Sequence, residues 1–579
     1  MCSYVVARQV TARRSRAYGR PIMTRLIPRL SCWRAIAAVL AITVLATSCT
    51  SANLTQGPRL AKSQTLRVAI DDQPQSLDPG QVQYAFERAI LGVVAEPLLR
   101  PTPDTNGVTP AAAESFDVTN NGTVYVFHLR KDAQYWDGQP VKAQDFVFGW
   151  RRLIDPRLAA PEATFFAGAI ANGDKVAILD PQRDAGTIDG ALQSLGLKAV
   201  DDTTFQVTLS RPDPAFVWLA AMPAGAPIRP DIVTQYGDKW SSSPDTLVTN
   251  GPFKLSKQVA NQQLTVVPNP HYWGTKPTLT SIEFDVVNDG AAALAKYQAG
   301  DIDVMTVQPA QALTVAGDRS LIKEVVRSPA LTAYWITFRV TSPKLSNPRV
   351  RQALAQAIDR SGYVNKVFQG QGRPLETFIP QGMHGYAPEL AASQKFDVSQ
   401  ARATLAAAGV SAAQLSGLKF SFDKSVDFAN LTAQYVRDQL KTNLGVDIAL
   451  DPLDTGTLGA KLENGSFDIA GPLGWNADYP DPADWFPIFT TTNSYNYSLY
   501  QNARYDSLVA VAARDVQASR RDAEYSQAQR MLLSDSPVAF LAQSVGWYLV
   551  QPYVKGLAAT SVDEWPGELF PNRIYISGH

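Results

Sequence analysis

The chain has 579 residues, of which 45% are hydrophobic and 9% aromatic, with 53 basic and 53 acidic residues. This composition is typical of globular proteins with large cores, and it excludes a disordered or fibrous chain. At ~150 residues per domain, the length predicts three or four folding units.

The first fifty residues have the pattern of a secretory signal peptide. Arg25, Arg29 and Arg34 come before an apolar run at residues 35–46. This run has the length of a signal-peptide core and is shorter than the ~20 residues that span a membrane. Thr47-Ser48-Cys49 follows it and resembles the lipobox of bacterial lipoproteins. We therefore expect cleavage before Cys49 and lipidation of that residue; the alternative is a nearby cut that leaves a free cysteine.

The charge is distributed unevenly along the chain. Residues 1–48 contain eight arginines and no acidic residue, so the remainder has 45 basic and 53 acidic residues. A mildly acidic body argues against nucleic-acid binding. The arginines before Met23 accompany no apolar pattern, and we expect translation to start at Met23 rather than at Met1. No later apolar run reaches the length of a membrane span.

The first half of the body predicts both strands and helices. Asn121-Gly122 separates two alternating runs, which is a strong signal for a hairpin. Helical spacing is found at residues 84–95, 144–153 and 291–299, the last closed by Gly300. Strands are expected at residues 66–70, 115–118, 124–130, 204–209, 254–255, 264–267 and 282–287.

A second α/β unit is predicted from about residue 307. Asn347-Pro348 has the pattern of a helix start, with a capping side chain followed by proline. Ser399 is expected to cap a further helix that ends at Gly409. We expect helices at residues 433–444 and 510–532, and strands at residues 446–450 and 572–577.

The stretch from Gly474 to Pro482 is the strongest candidate for a binding site. Residues 467–470 predict a buried strand, and Pro480 and Pro482 predict a stiff loop after it. The loop carries Trp475 and the carboxylate of Asp478. An aromatic ring and an acid fixed beside backbone groups suit a strand-forming ligand with an amine, such as a peptide. The alternative is a turn with solvated acids and a core tryptophan.

Enzyme chemistry is poorly represented in the sequence. The three cysteines are Cys2, Cys32 and Cys49, and the four histidines are far apart and fit no metal-ligand spacing. Phosphate-loop, nucleophile-elbow and zinc-protease motifs are missing. We therefore expect no catalytic site, no metal site and no cofactor.

An ordered set of segments resembles a known protein family. Asn250-Gly251-Pro252-Phe253 and Trp475-Asn476-Ala477-Asp478-Tyr479 are among them. The whole set resembles the family-5 extracellular solute-binding proteins of bacterial ABC importers, most closely the oligopeptide-binding lipoproteins. The segments are residues 112–116, 127–131, 137–141, 143–146, 250–253, 269–273, 300–304, 350–354, 357–360 and 475–479.

The resemblance implies an α/β chain with the two-lobed periplasmic-binding-protein fold (type II) and an extra inserted α+β domain. It implies two lobes that close on a ligand about a hinge. The expected boundaries are a signal peptide at 1–48, a tether at 49–63, lobe I at 64–95, 219–306 and 541–579, the inserted domain II at 96–218, and lobe II (domain III) at 307–540.

The resemblance also assigns roles in ligand binding. It implies that an extended peptide pairs as a strand with the backbone of Gly474 and Asn476. Asp478 matches the acid that holds the peptide α-ammonium, and Trp475 would line a side-chain pocket. The segment Gln83-Tyr84-Ala85 matches the facing lobe.

The chain departs from the family where the ligand's carboxyl end would lie. Gly471-Pro472-Leu473 contains no base where some relatives have arginine, and Lys461 is a candidate substitute, with a solvated lysine as the alternative. The expected function is a monomeric, lipid-anchored peptide receptor on the extracytoplasmic face of the cell membrane, which delivers peptides to ABC permease subunits. The alternatives are a receptor of the same fold for a nickel chelate, haem or sugar, and a regulatory lipoprotein.

Overall fold

The computed structural model describes residues 59–104 and 107–578. The predicted signal peptide, the lipidation site at Cys49 and the two candidate start codons lie outside these residues. Within the described ranges, none of the helices is both long and apolar enough to cross a membrane.

The described strands are distributed along the whole body of the chain. They are β1 Thr65–Ile70, β2 Leu99–Pro101, β3 Val108–Pro110, β4 Ala113–Thr119, β5 Val124–Leu129, β6 Leu197–Asp201, β7 Thr204–Thr208, β8 Phe253–Val259, β9 Gln263–Pro268, β10 Ser281–Val286, β11 Val304–Thr306, β12 Val325–Phe338, β13 Gly372–Pro374, β14 Lys419–Asp423, β15 Ala449–Leu453, β16 Ile469–Asn476, β17 Val538–Val550, β18 Val554–Lys555 and β19 Tyr575–Ile576.

The described helices alternate with these strands. They are α1 Ala85–Val94, α2 Ala143–Ile154, α3 Ala163–Ala169, α4 Gly173–Ala177, α5 Ala185–Gln193, α6 Phe216–Leu219, α7 Pro230–Tyr236, α8 Gly290–Ala299, α9 Pro309–Gly317, α10 Leu321–Glu324, α11 Pro348–Gln356, α12 Arg360–Lys366, α13 Val398–Ala407, α14 Ala412–Leu415, α15 Asp427–Leu444, α16 Thr455–Glu463, α17 Pro482–Trp485, α18 Ala503–Ala512 and α19 Ala518–Asp535.

One mixed sheet runs through both lobes. Its strand order is β15-β14-β16-β12-β17-β11-β1-β10-β9-β8, and β13 pairs with β17 outside this path. The long strands β12 and β17 are antiparallel neighbours at the centre, and their register shifts between Pro329 and Ala333. On one side of this pair lie β16, β14 and β15, and on the other side lie β11, β1, β10, β9 and β8. The two central strands therefore connect the two halves of the sheet.

A separate core forms the inserted α+β domain. Strands β4, β5, β7 and β6 make an antiparallel sheet in that order. Trp150 from α2 is fully buried and meets Phe166 and Phe205 edge-to-face, with ring centroids 5.1 and 5.2 Å apart. Aromatic pairs of this geometry contribute beyond the burial of their surface. The domain thus has its own hydrophobic centre.

Several local predictions are confirmed. The hairpin between β4 and β5 turns at Asn121 and Gly122, whose φ values are 54° and 84°. Gly300 ends α8 with φ 77°, in the left-handed region that favours glycine. Asn347 caps α11, because its side chain accepts a hydrogen bond from the amide of Arg349 at 3.0 Å.

Two predictions for the helices of lobe II are wrong. Asp397, not Ser399, caps α13: the Asp397 carboxylate accepts the Gln400 amide at 2.9 Å, and Ser399 donates its hydroxyl to the same carboxylate. The helix predicted at residues 510–532 is two helices. The Asp515 carboxylate accepts the Gln517 amide at 2.9 Å and holds the turn that separates them.

Three strand boundaries also differ from the predictions. The strand predicted at 446–450 begins at Ala449, and only Tyr575–Ile576 is paired in the final segment predicted at 572–577. The strand predicted at 467–470 continues to Asn476 as β16, so Gly474 and Trp475 belong to the strand rather than to the loop. Pro472 does not end the strand. It lies at a shift in the register between β16 and β12, between the positions paired with Trp335 and Thr337.

Candidate functional site

The end of β16 has one paired edge and one open edge. Antiparallel pairing with β12 places Gly474 opposite Tyr334 and Asn476 opposite Thr332. On the other side, β14 pairs only with Ile469 and Ala470. Among the described residues, no strand therefore pairs with the second edge from position 473 to 476.

The backbone groups of Gly474 and Asn476 point towards this open edge. The amide of Ala477 donates to the carbonyl of Leu331 on β12 at 2.8 Å. In an antiparallel ladder, alternate residues bond to the same neighbour. Trp475 therefore turns its backbone groups to β12, and the residues on either side of it turn theirs away. This arrangement can accept a ligand that adds as a strand.

Close packing against β12 explains the glycine at position 474. A Cβ atom on Gly474 would lie 2.9 Å from the carbonyl oxygen of Ala333 and 3.0 Å from the ring of Tyr334. Both distances are shorter than ordinary contacts between heavy atoms. A side chain at this position would therefore move β16 away from its partner strand.

The indole ring of Trp475 is held by one hydrogen bond and one ring contact. Its indole Nε1 donates to the Asp484 carboxyl at 3.0 Å. Its ring meets that of Tyr495 edge-to-face, with centroids 5.2 Å apart. Tyr495 is 52% exposed and was not identified from the sequence, because nothing in its local pattern links it to a strand twenty residues earlier. The two rings form an aromatic wall next to the open edge.

Asp478 lines the cleft directly after β16, where its side chain is accessible from the cleft and surrounded by protein on its other sides. Its amide donates to the same Asp484 oxygen at 3.1 Å. Burial raises the pKa of Asp478, while a hydrogen bond to Asp484 and the charge of Arg88 oppose the rise. Burial and the Asp478 charge raise the pKa of Asp484 well above its ordinary value. Asp484 therefore keeps a proton near neutral pH, and the two groups together carry a single negative charge.

The following loop is held by Asp481. This carboxylate caps α17 by accepting the Ala483 amide at 2.8 Å, and it forms an ion pair with Arg521. The side chains of Asp481 and Arg521 are only 7% and 8% exposed. The indole of Trp218, in the inserted domain, donates to Asp481 at 3.3 Å. Asp481 is thus a structural residue that fixes the loop carrying Asp478.

The segment Gln83-Tyr84-Ala85 is exposed at the start of α1. Gln83 and Tyr84 donate their amides to the Glu87 carboxylate at 2.8 and 3.0 Å. Gln83 and Asp478 line the same cleft, whereas Tyr84 and Ala85 do not contribute to its lining. The carbonyl of Gln83 accepts from Arg88 at 3.0 Å. Two of the backbone donors of this segment are therefore already used within the protein.

The cleft has a volume of about 600 Å³ and is bordered by α1, the inserted domain, the end of β16 and the loop at residues 561–569. Acidic side chains outnumber basic ones on its walls. The charged residues in the lining are Arg88, Arg100, Glu162, Asp478, Asp563, Glu564 and Glu568. Such a cleft favours ligands with positive charge.

Lys461, the candidate partner for a ligand carboxylate, forms an ion pair within the protein. Its Nζ atom lies 2.7 Å from the Asp451 carboxylate, and both side chains are partly exposed.

Comparisons with known proteins show the family to which the chain is related. A family model described as bacterial extracellular solute-binding proteins, family 5 Middle, matches residues 107–497. The periplasmic oligopeptide-binding protein OppA of Salmonella typhimurium is 32% identical over 555 residues, which cover 94% of this chain and 98% of that protein.

Two solved structures in different ligand states differ in their similarity to this chain. The MppA periplasmic murein tripeptide binding protein, in its unliganded open form, gives a TM-score of 0.81 at 30% identity, covering 90% of this chain and 99% of that one. The structure of OppA of Haemophilus influenzae in complex with RPPGFSPFR gives a TM-score of 0.60 at 27% identity. The match covers 90% of this chain and 100% of that one. The structure is therefore closer to this open form than to this peptide complex.

Proposed function

Because the chain belongs to the family-5 bacterial extracellular solute-binding proteins, we propose that it is an extracytoplasmic receptor that binds peptides in its cleft and delivers them to an ABC permease. The relatives described above include a periplasmic oligopeptide-binding protein and a periplasmic murein tripeptide binding protein, and the family is one of extracellular solute-binding proteins. The observation that carries the proposal is the open edge of β16 at Gly474 and Asn476, with the Asp478 carboxylate beside it.

The peptide adds to this edge as an antiparallel strand. Its α-ammonium lies at Asp478, and its first residues pair with Asn476 and then Gly474. Backbone pairing does not depend on side chains, so many sequences are accepted. A charge-assisted bond to Asp478 contributes about 1.5–3 kcal/mol. Trp475 and Tyr495 line a side-chain pocket, and Gln83 to Ala85 contact the peptide from lobe I after closure.

The lobes close by bending at the two central strands. The register shift between Pro329 and Ala333 interrupts the pairing of β12 with β17, and the lobe boundary expected at residues 540–541 falls on β17 itself. A few residues at such crossings absorb the change in backbone angles during domain closure. We keep the boundaries expected from the sequence: lobe I at 64–95, 219–306 and 541–579, the inserted domain at 96–218, and lobe II at 307–540.

A lipid on Cys49 anchors the receptor to the membrane, and residues 49–63 act as the tether. The motif Thr47-Ser48-Cys49 after an apolar run supports this proposal. Replacing Cys49 by serine should release the protein from the membrane fraction in a soluble form. A Cys49→Ser protein that stays in the membrane fraction would contradict the anchor.

A ligand screen by thermal unfolding tests the proposed function. A ligand that binds only the folded state raises the melting temperature. We expect stabilisation by many free-amine peptides of two to eight residues, and none by their N-acetylated forms. Stabilisation by a metal chelate, haem or sugar alone would replace peptides as the ligand. An absence of any response, once a retained native ligand has been excluded by mass spectrometry, would contradict the receptor function.

A further inference from the structure

Glu162 is an unpartnered acid on the wall of the cleft. It precedes α3 in the inserted domain and lines the cleft together with Asp478. Its Oε2 atom is buried and accepts no hydrogen bond from the described residues. A buried carboxylate oxygen without a partner is costly. Its position points to a group that the ligand supplies.

Glu162 and Asp478 line the same cleft, and the charge of one acts on the other. Burial raises the pKa of Glu162 to about 7; Arg88 opposes the rise and the charge of Asp478 adds to it. The carboxylates of the inserted domain and of lobe II therefore act on each other across the cleft. A cation between or beside them would relieve both the burial cost and the repulsion.

The cations in the described lining are already engaged. Arg88 forms an ion pair with Glu564 at 2.6 Å, and Arg100 forms one with Glu96 at 3.0 Å. Neither Glu162 nor Asp478 forms an ion pair with any residue that the structure describes. The single α-ammonium of an ordinary peptide would pair with only one of these two carboxyl groups.

We propose that the cleft prefers peptides whose first residue has a cationic side chain, with Glu162 binding that side chain while Asp478 binds the α-ammonium. This proposal rests on the proposed function and specifies its ligand class. Both positive groups belong to the first residue, because Glu162 and Asp478 line the same cleft. Pro161 and Phe165 lie beside Glu162 in the lining and offer apolar surface to the methylene stem of a lysine-like side chain.

Calorimetry with two matched peptides tests the preference. Lys-Ala-Ala and norleucine-Ala-Ala have side chains of similar length and differ in the terminal charge. For the purified wild-type protein, we expect Lys-Ala-Ala to bind about tenfold more tightly. In Glu162→Gln, the two affinities should agree within about twofold. The control is Glu114→Gln, which removes an exposed carboxylate of the same domain outside the cleft lining and should keep the preference.

A measurement on the wild type alone covers the case in which Glu162→Gln does not fold. The preference is measured as the ratio of two affinities. A change in the charge of Asp478, Asp484, Glu564 or Arg88 that affects both peptides equally therefore cancels from this ratio. Because Glu162 loses its proton near pH 7, the ratio should be larger at pH 8 than at pH 5.5.

The outcomes separate this proposal from the proposed function. Equal affinities of the two peptides for the wild type would overturn the preference for a cationic side chain. An equal loss of both peptides in Glu162→Gln would mean that the two carboxylates share one α-ammonium, which also overturns it. If neither peptide binds the wild type, the peptide-receptor function itself fails.

Discussion

The Asp484 carboxyl lies beneath the backbone of Asp478 and accepts a hydrogen bond from its amide at 3.1 Å. The same oxygen accepts the indole hydrogen of Trp475 at 3.0 Å. One largely buried carboxyl thus fixes the aromatic wall and the residue proposed to bind the ligand's amine. Because it keeps a proton, it does so without adding a second charge next to Asp478.

Asp478→Ala should lower the affinity for free-amine peptides by about tenfold or more, since it removes a charge-assisted bond. Affinity for N-acetylated peptides, which is weak in the wild type, should not change. Calorimetry measures both. Asp438→Ala, at an exposed position on α15, is the matched control. An unchanged affinity of Asp478→Ala for free-amine peptides would reject the assignment.

Gly474→Ala should cost about 1–3 kcal/mol of stability and weaken peptide binding, because the added methyl group meets Ala333 and Tyr334. Chemical denaturation and calorimetry check the two effects. Gly459→Ala serves as control, since a Cβ there meets nothing within 4 Å and the residue lies within helix α16. If both variants behave like the wild type, β16 has more space beside β12 than the structure shows.

Asp484→Asn should make the protein less sensitive to rising pH. The folded-state pKa of Asp484 is raised, so the stability associated with its protonated form is full below the ordinary aspartate pKa and is lost as the pH rises through the folded value. Asparagine keeps an acceptor oxygen and cannot ionise. The melting temperature of the variant relative to the wild type should therefore increase between pH 5 and pH 8.5. A constant difference would contradict the raised pKa.

Arg521→Ala should destabilise the protein by about 3–5 kcal/mol, because it leaves the buried Asp481 carboxylate without its ion partner. Peptide affinity should also fall, since Asp481 fixes the loop that carries Asp478. Lys441→Ala, which removes an exposed ion pair with Asp447, should change stability by less than about 1 kcal/mol. Denaturation curves measure the stability of both variants. Similar losses of stability in Arg521→Ala and Lys441→Ala would rule out the structural role of Asp481.

The end of β16 could be proposed as a binding site from the sequence because its information is local. Gly474, Trp475 and Asp478 lie within five positions; the structure places Gly474 and Trp475 on β16 and Asp478 in the lining of the cleft. The continuation of the strand through Pro472 was not predicted, because a proline that costs no ladder bond can be recognised only when the partner strand is known.

The contribution of residues from distant elements could not be predicted from local sequence patterns. Glu162 is more than 300 positions before Asp478 and belongs to a different domain, so only the folded chain brings their charges together. The role of Asp484 depends on the hydrogen bond from Trp475, which no local sequence pattern shows. Gln83 lines the cleft, and the use of its amide by Glu87 was not foreseen.

Amide hydrogen exchange at single-residue resolution tests the central claim that a peptide adds as a strand to the open edge of β16. In the protein without ligand, the amide of Trp475 should exchange slowly, because it bonds to β12, and those of Gly474 and Asn476 should exchange faster. Saturation with a bound peptide should slow the exchange at Gly474 and Asn476 and leave Trp475 nearly unchanged. Tight peptide binding with no added protection at Gly474 and Asn476 would contradict strand addition at this edge.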